Sequence, residues 1–311
     1  MGNKNIRVIV AGCGALGSVF GAGIIGSGAE LQVYQRRGAT FDALKKQGGI
    51  KLVAAEGQPP ELYPFSRISD NADALEEADL ILVLVKAYST ADLGPLRGKL
   101  REGGVVLTLQ NGLGNAEILA DFFGQKRIAA GVATYGAYTL SPGTVQAAGS
   151  GLVSLGPWSC DSNLDWVAEV MKRAGFETEY VDDPRPYLWR KLAVNAMVNT
   201  VAALCRVRNG RLRENRYTLR LMQHLGEESV EAARRAGVVV DFDNLWEFFM
   251  ENLRKTAANR PSMLQDVEGG RQTEIDGISG SVLKYAEADE DFPYTRAIYN
   301  LIKGIDTMRE G

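Results

Sequence analysis

The run Ile6-Arg-Val-Ile-Val-Ala11 empties into Gly12-Cys-Gly-Ala-Leu-Gly17 and then into the small-residue stretch Ser18 to Gly28. A β-rich segment, a tight glycine turn and a helix start, in that order, constrain the fold more than any other part of the chain. In the spacing G-x-G-x-x-G the first glycine permits the turn and the second lets backbone approach a pyrophosphate. The third allows close packing of helix on strand. N–H groups at the helix start then face the phosphates. Gly12, Cys13, Gly14, Ala15, Leu16 and Gly17 are therefore the expected dinucleotide cradle, with a purely structural glycine turn as the alternative.

The next β-rich segment, Leu31-Gln-Val-Tyr34, ends in Gln35-Arg36-Arg37. An NAD-binding chain places an acidic residue near this point, against the ribose 2′-hydroxyl. Here the charge is reversed, and a guanidinium suits a 2′-phosphate through charge-assisted contacts. The sequence thus favours NADPH/NADP+, without choosing between Arg36 and Arg37. Ala78-Asp-Leu-Ile-Leu-Val-Leu-Val85 reads as a strand buried on both faces of a parallel sheet, with Lys86 just beyond it. Gly104-Val-Val-Leu-Thr-Leu109 reads the same way and exits through Gln110-Asn111-Gly112. Ligands bind beyond the carboxyl ends of such strands, which places Lys86 and Asn111 toward cofactor.

Residues 38 to 65 read as a helix followed by short strands. Ile128 to Tyr138 reads as one further strand with Thr134 and Ala137 near its end, and Gly143 to Leu155 as a hairpin. A helix over Asp165 to Ala174 and a strand over Glu177 to Val181 complete the first half. Asp182-Asp-Pro-Arg-Pro186 breaks the composition, so the expected domains are 1–183 and 184–311. Beyond the break the periodicity is helical over 187–205, 214–236, 241–258, 262–269, 273–288 and 294–309. The fold class expected is α/β, with an N-terminal Rossmann-type domain followed by an all-α C-terminal domain.

The first of these helices carries Lys191, Asn195 and Asn199 in an otherwise oily run from Leu188 to Leu204. At about 100° per residue, each four-residue step moves about 40° around the helix, so the three share one stripe. A buried ammonium and buried amides each cost several kcal/mol unless hydrogen-bonded. The stripe is either an active-site wall or a structural polar ladder.

At 311 residues and 45% hydrophobic content the chain is long enough for two cores, and its net charge of -3 gives none of the basic footprint that nucleic acid demands. The arginines from Arg206 to Arg213, with Arg216 and Arg220, read as a solvated face or an interface. Cys13, Cys160 and Cys205 are widely spaced and odd in number, as expected of reduced thiols in the cytoplasm, and no metal site is expected. The N-terminal Met1-Gly-Asn-Lys-Asn shows no signal peptide, and no apolar stretch reaches spanning length.

Hydride transfer to a carbonyl needs a proton for the developing alkoxide. The chain has one histidine, His224, on an ordinary-looking helix. Tyr187-Leu-Trp-Arg-Lys191 fits Y-x-x-x-K, but it falls after the domain break and belongs with a different glycine spacing, so the match reads as chance. Lysine is protonated at neutral pH, and partial burial lowers its pKa toward that of a more efficient acid. Lys191 is the candidate. Near the C-terminus, Ser262-x-x-Gln265 and Thr273-x-x-Asp276 both have capping-box form, which would put Glu274 one position inside a helix start.

With these stretches in order, the chain resembles the ketopantoate reductase family. The most specific matches are Gly12-Cys-Gly-Ala-Leu-Gly17, Trp189-x-Lys191-x3-Asn195-x3-Asn199, and Ser262-Met-Leu-Gln-Asp266 followed by Thr273-Glu-Ile-Asp276. The resemblance implies a Rossmann-type domain joined to a helical domain like the C-terminal domain of 6-phosphogluconate dehydrogenase, with catalysis in the cleft between them. It implies NADPH-dependent reduction of 2-dehydropantoate to D-pantoate, on the way to pantothenate and coenzyme A.

By position, Lys191 is implied as the general acid and Glu274 as the group that binds the substrate hydroxyl and orients the lysine. Asn111, Asn195, Asn199, Asn209, Asn259 and Ser262 are implied as substrate contacts. Arg36, Lys86, Asn111, Ala137 and Glu274 are implied as cofactor contacts. The segment Gly277-Ile-Ser279-Gly280 departs from the family pattern. Alternatives are a D-2-hydroxy acid dehydrogenase for another branched or aromatic 2-oxo acid, and a dinucleotide sensor without turnover. A helical second domain of this size often contributes to a homodimer.

Overall fold

The computed structural model describes residues 6–159 and 164–308. Cys160, the segment Met1–Asn5 and the last residue of the expected helix 294–309 lie outside them. The chain forms two compact units. One reaches to Gln110 and resumes over Asn115–Pro184; the other consists of Asn111–Gly114 and the chain from Arg185 onward.

The first unit begins with β1 (Arg7–Ala11), α1 (Ala15–Gly26), β2 (Glu30–Tyr34), α2 (Ala39–Gln47), β3 (Gly49–Val53), β4 (Glu61–Pro64) and β5 (Arg67–Ser69). It continues with β6 (Ala78–Val83), a 3-10 stretch over Ala87–Lys99, β7 (Leu100–Thr108), α3 (Asn115–Phe123) and β8 (Ile128–Ala133). Then come β9 (Gly136–Ser141), β10 (Thr144–Ala148), β11 (Val153–Pro157), α4 (Asp165–Arg173) and β12 (Thr178–Tyr180). The main sheet has the order β12-β11-β8-β7-β6-β1-β2-β5. Within it β1 runs parallel to β2 and β6, and β6 to β7 and β7 to β8, while β11 is antiparallel to β8. The middle strands are buried on both faces, which their unbroken Val, Ile and Leu content requires. Strand order reverses at β1: the chain first builds outward to β2 and β5 and then crosses to β6.

Two strand expectations need correction. Ile128 to Tyr138 is two strands, because the chain leaves the main sheet after Ala133 and re-enters pairing at Gly136 in a second sheet of order β4-β3-β10-β9. The expected hairpin over 143–155 is displaced as well: β10 pairs antiparallel with β9 and parallel with β3, while β11 returns to the main sheet beside β8. Alternation shows that a segment is extended; it does not choose the partner.

The second unit contains α5 (Arg185–Cys205), α6 (Asn209–Arg213), α7 (Arg216–Arg235), α8 (Phe242–Lys255), α9 (Ser262–Glu268), α10 (Ser279–Leu283) and α11 (Pro293–Thr307). Its core gathers Trp189, Leu192, Ala196 and Met197 of α5 with Met222 and Leu225 of α7, Phe249 of α8, and Ile298 and Ile302 of α11. Buried nearly all round, α5 is the axis of the unit. Local chemistry sets the helix ends: Asn215 accepts from the Tyr217 N–H and Asp241 from that of Asn244. Pro293 opens α11, and the Glu228 carboxylate accepts from the N–H groups of Tyr294 and Thr295. His224 lies on α7, its ring stacked 4.3 Å from that of Tyr294. The basic run is exposed, with Arg211 paired to Glu214 and Arg216 over the Tyr217 ring.

The expected helix 273–288 is not continuous. Glu274 stands in a bend followed by turns, and α10 starts only at Ser279. Thr273 caps no helix: its hydroxyl donates to Asp306 at 2.6 Å. Ser262 is the first residue of α9 rather than its cap, which is Pro261. Both stretches match the capping spacing, but in each the serine or threonine oxygen is not bonded to the N–H groups of a following helix. No helix among the described residues is long and apolar enough to cross a membrane.

Candidate active site

In the first unit the glycine loop sits at the carboxyl end of β1, where strand order reverses. Gly12 adopts φ +93°. Its N–H donates to the Tyr34 carbonyl at 3.0 Å, and the Leu84 N–H donates to that of Ala11 at 2.8 Å, so the loop is tied to the chain leaving both β2 and β6. A Cβ at Gly12 would lie 2.6 Å from the Val85 nitrogen, and one at Gly17 would lie 1.9 Å from the Gly12 carbonyl oxygen. Gly14 is different: it is exposed, and a Cβ there would meet nothing within 4 Å. It also caps α1 without any side chain bonded to the first N–H groups of the helix. Open space beside bare backbone at a helix N-terminus is what a pyrophosphate requires, so these residues fit a dinucleotide.

The loop has a brace that sequence reasoning missed. Gln35 Oε1 accepts from the Cys13 N–H at 2.8 Å, and nothing in the local pattern marks a glutamine past a strand for that task. Burial pushes the Cys13 thiol up to about 11, against the pull of the Ser18 hydroxyl, so it stays a protonated, inert thiol at neutral pH.

The arginine pair divides cleanly. Arg37 Nε binds Asp70 Oδ2 at 2.6 Å. Arg36 is exposed and forms no ion pair or hydrogen bond with the described residues. Lys86 follows β6 half-buried, and Ala137 lies in β9 opposite Ala147 rather than at the end of β8. Gln110 is buried and rivets the strand ends, donating to the Val85 carbonyl at 2.9 Å and Thr90 Oγ1 at 2.8 Å while accepting from Thr108 Oγ1 at 2.9 Å.

In the second unit one face of α5 presents Lys191 and Asn195, half-buried, and Asn199, buried. Trp189 anchors the start of this face, its ring 5.3 Å from that of Tyr285. Asn199 Nδ2 reaches Ser262 Oγ at 3.5 Å, the outer limit of a hydrogen bond. Asn209 opens α6; its N–H donates to the Asn259 carbonyl at 3.1 Å and its Nδ2 to Thr256 Oγ1 at 2.9 Å. Its Oδ1 is buried without a partner, the kind of atom that calls for a ligand or a water. Asn259 itself is exposed between α8 and α9.

Glu274 is 6% exposed and accepts from Asn111 Nδ2 at 3.4 Å. That contact depends on Gly112, which adopts φ +82° and packs so closely on Gly277 that a Cβ would lie 2.3 Å from the Gly277 carbonyl oxygen. The same carbonyl accepts from the Leu113 N–H at 3.3 Å. Burial pulls the Lys191 ammonium down to about 8, while the Glu274 carboxylate pulls it back up. The structure therefore brings Asn111, Lys191 and Glu274 into one cluster, Asn199 and Ser262 into a second contact, and Asn209 and Asn259 into a third. The described residues contain no group of three or more His, Cys, Asp or Glu arranged to hold a metal ion.

A glycine-turn α/β unit carried in one chain with a helical unit that holds a desolvated lysine beside a carboxylate is the plan of a dinucleotide-dependent oxidoreductase. The chain belongs to the ketopantoate reductase family: the family model for "Ketopantoate reductase PanE/ApbA" matches residues 8–159, and that for "Ketopantoate reductase PanE/ApbA C terminal" matches residues 183–306. A 2-dehydropantoate 2-reductase of Archaeoglobus fulgidus is 34% identical over 304 residues, covering 97% of this chain and 98% of its own. Among solved structures, 2-dehydropantoate 2-reductase from Geobacter metallireducens superposes with a TM-score of 0.86 at 28% identity, covering 96% of this chain and 99% of that one. A D-mandelate dehydrogenase with NADH and anilino(oxo)acetate shares the fold, with a TM-score of 0.90 at 21% identity over 98% of this chain and all of that one.

Proposed function

We propose that the protein reduces 2-dehydropantoate to D-pantoate with NADPH, as a cytoplasmic enzyme of pantothenate and coenzyme A synthesis. The observation that carries this reading is the cluster of Lys191, Glu274 and Asn111, in which burial tunes a lysine to about 8 beside a carboxylate. Its relatives over nearly the full chain bear the name of that reaction.

The loop from Gly12 to Gly17 would hold the pyrophosphate, with Lys86, Ala137 and Asn111 further along the dinucleotide. Arg36, exposed and uncommitted to any described residue, would take the 2′-phosphate, whereas Arg37 is engaged by Asp70. When bound, the reduced nicotinamide supplies the hydride. Lys191 keeps its proton at neutral pH and gives it from Nζ to the C2 carbonyl oxygen as negative charge develops there. Glu274 accepts from the substrate hydroxyl and keeps the lysine charged until transfer. Asn195, Asn199 and Ser262, with Asn209 and Asn259 beyond them, hold the remaining polar groups, so that strengthening hydrogen bonds lower the barrier.

The test is NADPH oxidation with 2-dehydropantoate, set against NADH and against 2-oxoisovalerate and benzoylformate. The highest kcat/KM is expected with NADPH and 2-dehydropantoate. A clear preference for either of the other acids transfers the assignment to a D-2-hydroxy acid dehydrogenase. Cofactor binding without turnover of any 2-oxo acid makes the protein a sensor.

A further inference from the structure

Glu274 stands in a bend, not in a helix, and within its own segment its carbonyl accepts from the Ile278 N–H at 3.1 Å. Both flanks of that bend are also gripped, and by one element. Asp306, on the last turns of α11, accepts from the Thr273 hydroxyl at 2.6 Å and from the Thr273 N–H through both oxygens at 3.3 and 3.2 Å. Three residues on from Thr273, Asp276 accepts from the Tyr299 hydroxyl at 2.8 Å and from Lys303 Nζ at 3.0 Å. Tyr299, Lys303 and Asp306 are spaced four and three apart, which sets them on one face of α11. Thr273 is only 1% exposed and Asp306 is half-buried, so the charge-assisted bonds between them are partly screened from water, which strengthens them.

We infer that Asp306 is a positioning residue for the reaction: through Thr273 it fixes the backbone from which Glu274 projects, with Tyr299 and Lys303 holding the far side of the bend through Asp276. The inference rests on the roles proposed for Glu274 and Lys191. A misplacement of about 1 Å at a catalytic group can cost about a hundredfold in rate. The carboxylate of Asp306 is thus expected to matter to catalysis without touching substrate or cofactor.

The experiment compares Asp306→Ala and Asp306→Asn, each with Glu274 intact and with Glu274→Gln, using whichever 2-oxo acid the wild-type enzyme turns over fastest. Asp306→Ala is expected to lower kcat about ten- to a hundredfold with NADPH Kd unchanged, and Asp306→Asn, which keeps one acceptor, to lose less. In the Glu274→Gln background the same change is expected to cost less than about twofold, because a residue acting through Glu274 has nothing left to position. Equal losses in both backgrounds, or no loss in the first, overturn the inference. Hydrogen exchange over residues 270–278 gives a reading that needs no turnover: acceleration in Asp306→Ala is expected, and unchanged exchange overturns the inference even if the substrate proves to be another acid. Absence of wild-type turnover with 2-dehydropantoate strikes the functional reading instead.

Discussion

Raising the pH from 7 to 9 should silence this enzyme to a degree that the surroundings of Lys191 set in advance. Burial lowers the lysine from 10.5 to about 8 despite the opposing pull of Glu274. In the proposed mechanism the ammonium is the active form, so activity should be present below that value and lost above it. With pKa about 8 the protonated fraction drops from roughly nine-tenths at pH 7 to about one-tenth at pH 9, and kcat/KM falls about tenfold. A lysine left at its ordinary value would lose only a few per cent over the same interval. The assay is initial-rate NADPH oxidation at subsaturating 2-oxo acid from pH 6.5 to 10. Glu274→Gln removes the influence that raises the lysine, so the descending limb should move to lower pH. Lys191→Ala should cut kcat by about 10²–10⁴ while leaving NADPH affinity nearly intact, and its residual rate should lack the limb. A profile flat beyond pH 9, or a limb that ignores Glu274→Gln, would refute the reasoning.

Other outcomes follow from geometry. Arg36→Ala should weaken NADPH at least about tenfold with little effect on NADH, while Arg37→Ala should barely change their ratio, as parallel titrations would show. Gly112→Ala combines a left-handed backbone with a clash on the Gly277 carbonyl; it should lower stability by about 1–3 kcal/mol in thermal melts and depress kcat through displaced Asn111. The variant K191M/E274Q should be inactive yet melt at higher temperature at pH 7. The unfolded lysine titrates at 10.5 and the folded one at about 8, so the unfolded chain binds more protons between those values. The lysine's penalty, about 3 kcal/mol, is in full force below pH 8 and fades toward pH 10.5. The melting advantage of the variant should fade over the same window.

What could be seen without coordinates was whatever the chain encodes locally. Gly12 to Gly17 carries its own geometry, since three glycines at that spacing after a strand have few other uses. The stripe of Lys191, Asn195 and Asn199 was visible because helix periodicity converts spacing into direction. Partners distant in sequence were not visible. Nothing in Gly49–Val53 announces that it will lie beside Thr144–Ala148, and nothing at Asp306 points to Thr273. The capping spacing at Thr273 misled for a related reason: the hydroxyl that could have capped a helix found the Asp306 carboxylate instead, and the segment stayed bent. Gln35 escaped notice because a side chain bracing backbone leaves no pattern of its own.

The four residues Asn111–Gly114 belong to the helical unit although the chain on either side of them belongs to the other. A gene cut at Pro184 would therefore yield a C-terminal fragment without Asn111, and without the glycine that seats it against Gly277. Moving this helical module onto another nucleotide-binding partner would lose the Asn111 contact to Glu274 unless that short excursion were carried along.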